Sequence, residues 1–152
     1  MNAKNISPLE AHIGYWMRFV SNRVSEEFRR AVEACGVSVT EWVALRILYG
    51  QKDATHGALT QALGMTKGAV SKLIVRLEER KLVVRDVGLA DARQVMLNLT
   101  TAGRDLVPRL AQIADENDRQ FFGHLTAEQQ AELRELLERI VRLQQLTEVP
   151  VH

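Results

Sequence analysis

The chain has a single cysteine, Cys35, among 152 residues. One thiol excludes an internal disulfide framework and fits a reducing compartment. No apolar run approaches the roughly 20 residues that cross a bilayer, and no leader of the secretory kind opens the sequence. The sequence alone therefore predicts a cytoplasmic protein with no membrane partner. Repeats and low-complexity segments are missing as well, so the length suits one domain, or one compact unit with an interface. Neither sign of charge dominates: the net charge is +1, which excludes a globally basic protein.

Catalytic and metal-binding patterns are also lacking. The four histidines, His12, His56, His124 and His152, include no pair at a metal-ligand spacing such as i, i+4 on one helix. There is no Gly-rich phosphate loop, and no Ser, His and Asp set in a recognisable catalytic frame. The expectation is that the chain is not an enzyme and holds no metal and no cofactor.

What is present is helix punctuation. Ser7-Pro8-Leu9-Glu10 reads as a capping box with Pro at the first helical position. It predicts a helix to about Cys35, with Leu9, Ile13, Trp16, Met17, Val20, Val24, Phe28, Ala31 and Val32 as its apolar stripe. Ser38-Val39-Thr40-Glu41 is a second box, opening a short helix that Gly50 stops. Thr100 or Thr101 caps a long helix from about Ala102 to Phe122, which Pro108 should kink or delay because it lacks an N–H. Thr126-Ala127-Glu128-Gln129 opens the last helix, to about Leu146, with Leu133, Leu136, Leu137, Ile140 and Val141 on one side.

The middle of the chain reads differently. A helix over 55–63 ends at Gly64, which can take the left-handed conformation. Thr66 then caps a second helix to about Lys81. At 100° per residue, Ala69, Val70, Leu73, Ile74 and Leu77 share one arc. Gly68, Ser71, Lys72, Val75 and Arg76 lie opposite, with Lys67 on the border. Two β-branched runs follow, Leu82 to Arg85 and Gln94 to Leu99, with Val95, Leu97 and Leu99 alternating toward a core. A helix pair with a Gly-containing turn is a helix-turn-helix, and the hairpin makes it winged. Residues 66–95 carry seven Lys/Arg against four Asp/Glu, whereas residues 115–148 carry four Arg against eight Asp/Glu. A local basic patch is the footprint of nucleic-acid binding, although an ordinary amphipathic helix with a solvated face would show the same charges. On the DNA reading, Thr66, Lys67, Gly68, Ser71, Lys72 and Arg76 face the duplex. In the hairpin tip, Arg93 enters a minor groove and Asp91 holds its guanidinium; a solvated surface pair is the alternative.

Leu59 to Glu78, Leu82-Val83, Asp91-Ala92-Arg93 and Leu99-Thr100-Thr101-Ala102-Gly103 together resemble the MarR family of bacterial regulators. The resemblance extends over nearly the whole chain. One departure is Lys81, where the family usually has Gly. The resemblance implies a mainly α fold with a small β-hairpin wing: a winged helix-turn-helix over 38–101, flanked by a helical dimerisation region over 1–36 and 102–147. It further implies a homodimer that binds a palindrome in double-stranded DNA, and a repressor released by a small aromatic or phenolic ligand. For that ligand His12, Trp16 and Arg46 are the candidates. Two other readings stay open: a redox-sensing regulator acting through Cys35, and a helical protein-interaction module that binds no DNA.

Overall fold

The computed structural model describes residues 5–87 and 95–151. One turn of 3-10 helix, Leu9–Ala11, precedes α1 (Ile13–Ala34), α2 (Val39–Tyr49), β1 (Ala54–Thr55), α3 (His56–Leu63) and α4 (Lys67–Glu79). Then come β2 (Val83–Val87), β3 (Val95–Leu99), α5 (Thr101–Phe122) and α6 (Ala127–Leu143). The expected fold class, mainly helical with a β wing, is what is found. The strands form an antiparallel sheet in the order β1-β3-β2. Its register pairs Ala54 with Leu97, Val83 with Leu99, and Val87 with Val95.

Most of the expected caps form. The Ser38 hydroxyl accepts from the Glu41 N–H while the Glu41 carboxylate accepts from the Ser38 N–H. Thr126 and Gln129 make the same reciprocal pair. The Thr100 hydroxyl accepts from the Gly103 N–H. Each satisfies donors that the first helical turn leaves free.

The first helix is shorter than its sequence pattern suggested. Ser7 caps nothing, and Pro8 is itself the residue before the 3-10 turn. His12 then takes an extended backbone, φ −94 and ψ 122. Side chains take the carbonyls an α-helix would have used: His12 Nδ1 lies 3.1 Å from the Pro8 oxygen, and Trp16 Nε1 donates to the Glu10 oxygen at 2.9 Å. Two further expectations need correction. Pro108 does not delay α5, which starts at Thr101 and continues through the proline to Phe122. The wing root is not a plain hairpin either, because β1 adds a third strand.

The core lies where α2, α3, α4, α5 and the sheet meet. Leu45, Leu48, Leu59, Leu63, Leu73, Ile74, Leu77 and Leu110 are fully buried there, joined by Val32 from the end of α1. Each such side chain contributes about 1.5–3 kcal/mol of burial. In the outer part of the wing Val95 does not reach this core and is 41% exposed, while Leu97 and Leu99 do. Gly103 is where α5 crosses the start of β2: a Cβ there would collide with the Leu82 carbonyl. That carbonyl also accepts from the Thr100 N–H at 3.0 Å.

By contrast, α6 buries no residue. Leu133, Leu136, Leu137, Ile140 and Val141 are all exposed, as are Ile13, Trp16, Met17 and Val20 on α1. Farther along α1 the stripe meets α5, where Asn117 donates to the Val24 carbonyl at 3.2 Å. Among the described residues, no helix is long and apolar enough to cross a membrane.

Candidate nucleic-acid interface

The turn between α3 and α4 sets the interface. Gly64 sits at φ 65, ψ 24, the left-handed region, and closes α3. Two residues later Thr66 is extended and its hydroxyl accepts from the Ala69 N–H at 3.2 Å. Helix α4 thus starts sharply, with free N–H groups and the positive end of its dipole facing outward. Val70, Leu73, Ile74 and Leu77 anchor it in the core, and Thr66, Lys67, Gly68, Ser71, Lys72 and Arg76 are all exposed on its other side. Val75, also exposed, adds an apolar spot to that face.

These side chains are not equally free. The Ser71 hydroxyl donates to the Lys67 carbonyl at 2.9 Å, and His56 Nε2 from α3 lies 2.9 Å from Ser71 Oγ. Arg76 leans back toward Glu41 Oε1 at 3.6 Å, and Arg80 donates to Glu41 Oε2 at 2.9 Å. Arg76 therefore shares a buried carboxylate with Arg80 rather than standing alone, which its sequence position did not reveal. Lys67 and Lys72 belong to no ion pair among the described residues.

The wing is fixed to this helix by polar bonds. Arg85 on β2 donates to Glu78 on α4 at 2.6 Å. Asn98 on β3 reaches both neighbours: its amide donates to Asp53 Oδ1 at 2.9 Å and to Asp86 Oδ2 at 3.2 Å, and its oxygen accepts from the Asp53 N–H at 2.9 Å. Asp91 and Arg93, assigned to the minor groove from sequence, lie outside the described residues.

The comparisons agree with this geometry. A family model described as MarR family matches residues 36–94. The transcriptional regulator HosA of Escherichia coli O157:H7 is 30% identical over 102 residues, 67% of this chain and 73% of HosA. The chain belongs to the MarR family. An HTH-type transcriptional repressor of Mycobacterium tuberculosis, Rv2887, is 27% identical over 131 residues, covering 86% of this chain and 94% of its own. Among solved structures, Staphylococcus aureus MepR in complex with DNA superposes with a TM-score of 0.75 at 26% identity, covering 86% of this chain and 97% of MepR.

Within this MarR-family chain, Lys81 occupies the position where the resemblance calls for Gly, and it sits at φ 59. The Lys81 N–H donates to Glu78 and the Leu82 N–H to Leu77, at 2.8 and 2.9 Å. That is the paired closure in which the residue past the helix end must be left-handed. The residues expected to hold a ligand are not brought together within one chain. Trp16 lines an apolar groove of about 730 Å³ between α1, the end of α5 and α6, with Phe121, Phe122, Leu133 and Leu137. Arg46 lies instead beside α3, in a shallow depression with Val43, Ile47, Ala62 and Val149, its guanidinium 5.9 Å from the Tyr49 ring centre. His12 is occupied at the helix start. Cys35 is half-buried at the end of α1 and lines an open depression whose wall on α5 includes Arg109, Ile113 and Arg119. Among the described residues, no three His, Cys, Asp or Glu side chains cluster as a metal site would need.

Proposed function

We propose that this chain is a transcriptional repressor that binds a palindromic operator as a homodimer and is released by a small aromatic or phenolic ligand. The carrying observation is α4, anchored by four buried residues and presenting Thr66, Lys67, Gly68, Ser71 and Lys72 from a capped N-terminus. A helix so displayed enters the major groove by its first turns. The DNA complex of MepR supports this placement. Lys67 and Ser71 suit base edges, and Lys72 suits a phosphate. Asp91 and Arg93 keep the minor-groove role that the sequence suggests. The exposed apolar faces of α1 and α6 support division into a dimerisation region over 1–36 and 102–147 and a reading head over 38–101. Two reading heads about one DNA turn apart then match a palindrome. Access to chromosomal DNA places the protein in the cytoplasm. For the ligand, Arg46 over Tyr49 supplies a cation beside an apolar depression, which suits an aromatic acid.

The test is fluorescence anisotropy with palindromic DNA from upstream of the protein's own gene, at several salt concentrations. Saturable binding that falls steeply with salt is expected. Absence of binding at low salt would overturn the reading and favour a helical interaction module.

A further inference from the structure

Helix α6 buries no residue, yet the chain beyond it returns to the reading head. Gln145 takes a left-handed backbone, φ 52. Its N–H donates to the Arg142 carbonyl at 3.2 Å and the Leu146 N–H to the Val141 carbonyl at 3.0 Å. This is the paired closure that ends a helix and turns the chain away. Pro150 biases Val149 toward an extended backbone. Burial then alternates, with Val149 and Val151 half-buried and Pro150 exposed, the period of an extended segment with one face seated. The seat is the depression between α2 and α3, which Val149 lines together with Val43, Ile47 and Ala62. On the way the backbone crosses the α3–α4 turn. A Cβ placed on Gly64 would lie 3.3 Å from the Thr147 carbonyl oxygen and 3.4 Å from Glu148 Cα.

From this we infer that Thr147–Val151 is a strap on the reading head: seated between α2 and α3, it braces the α3–α4 turn and so favours DNA binding. The inference rests on the DNA-binding reading above and adds a control segment to it. Gly64 closes α3, and Thr66 caps α4 two residues later. Whatever holds Gly64 therefore holds the end of α4 that enters the groove. A turn already held in place costs less to order when DNA arrives. The seat is small, two partly buried valines, so the strap can leave it without unfolding the head.

The experiment compares wild type with the Val149→Ser/Val151→Ser double variant, with Val149→Ile, which keeps an apolar side chain, and with Thr147→Ala. The last alters a side chain that is exposed, since Thr147 meets the turn through its carbonyl. Hydrogen exchange is followed at the Gly64 amide, which donates to the Thr60 carbonyl at 3.0 Å. Anisotropy on a preferred palindrome gives DNA affinity, and sedimentation confirms that each variant keeps the wild-type assembly. In the double variant, exchange at Gly64 should quicken and palindrome affinity should fall, each by about three- to tenfold, the worth of two partly buried valines. Val149→Ile and Thr147→Ala should match wild type in both. Unchanged exchange in the double variant would show that the strap does not sit on the turn in solution, and the inference falls. Faster exchange with equal or tighter palindrome binding would reduce the segment to a cover for apolar surface, and the inference again falls while DNA binding stands. If wild type binds no DNA at low salt, the DNA-binding reading falls and the strap's role goes with it.

Discussion

Arg80 donates to Glu41 Oε2 at 2.9 Å, joining the residue after α4 to the first turn of α2 across 39 residues of sequence. Glu41 is only 7% exposed, and its other oxygen faces Arg76 at 3.6 Å. A carboxylate this buried depends on its partners, because removing one leaves charge without compensation. Arg80→Ala is therefore expected to destabilise the fold by about 1–3 kcal/mol, reduced from the fully buried case because Arg80 itself is partly solvated. Arg76→Ala should cost less than about 1 kcal/mol, since its contact is longer and the side chain half-exposed. Urea denaturation separates the cases. An Arg76→Ala midpoint equal to wild type would show that the Arg76–Glu41 contact adds nothing to stability.

Lys81 adopts a conformation that glycine takes freely and that costs a side chain about 1–2 kcal/mol. Lys81→Gly should relieve this and lose part of the gain to the greater freedom of the unfolded chain. The net expectation is a stabilisation of up to about 1 kcal/mol, or about 2–4 °C in Tm for a domain of this size. Calorimetry checks it; a fall in Tm would mean that the lysine side chain makes a compensating contact.

At Gly103 the same kind of reasoning has the opposite sign. Any Cβ there meets the Leu82 backbone, which cannot swing away as a side chain could. Gly103→Ala should push α5 off the start of β2 and cost about 1–3 kcal/mol, as overpacking does. Because Thr100 and Leu82 also share a hydrogen bond at this crossing, the wing should loosen with it. Faster exchange of the Thr100 amide would report that; unchanged exchange and stability would show that α5 slides without cost.

Local signals were legible where one residue type solves one backbone problem. Ser38 with Glu41, Thr66, Thr126 with Gln129, and Gly64 all cap or close helices where their chemistry says they should. The buried arc of α4 was legible from period alone. Long-range bonds were not. The break at His12 depends on side chains turning back to carbonyls, which a capping pattern does not encode. β1 is two residues long, too short to show alternation, and exists because Asn98 and β3 hold it. Of the candidate site, the exposed basic face was readable, whereas the pairing of Arg76 with Glu41 and the bond from His56 to Ser71 join elements that only folding brings together.

The apolar face of α6 gives a prediction about assembly. Leu136 and Leu137 are 47% and 37% exposed in the single chain, an arrangement that a second copy would cover. Leu137→Glu should place an uncompensated charge in that interface and shift sedimentation from dimer toward monomer at micromolar concentration. Palindrome binding should weaken sharply, since each half-site would then be held separately. A variant that stays dimeric would move the interface away from α6.

The last prediction tests which way α4 faces. Lys72 is exposed and belongs to no ion pair among the described residues, unlike Arg76, so its charge is available to a phosphate. Each phosphate contact releases counterions, and its loss changes the dependence of binding on salt by about one in log–log slope. Lys72→Ala should therefore weaken binding to every DNA sequence alike and lower the slope by about one. Ser71→Ala should do the reverse, changing base preference while leaving the slope as it was, because a neutral hydroxyl displaces no counterion. Anisotropy titrations from low to physiological salt, on a preferred palindrome and on unrelated DNA, distinguish the two roles. If Lys72→Ala bound both DNAs as wild type does at every salt concentration, α4 would have to be rotated about its axis relative to the duplex, bringing Lys67 and Val75 rather than Lys72 to the contact.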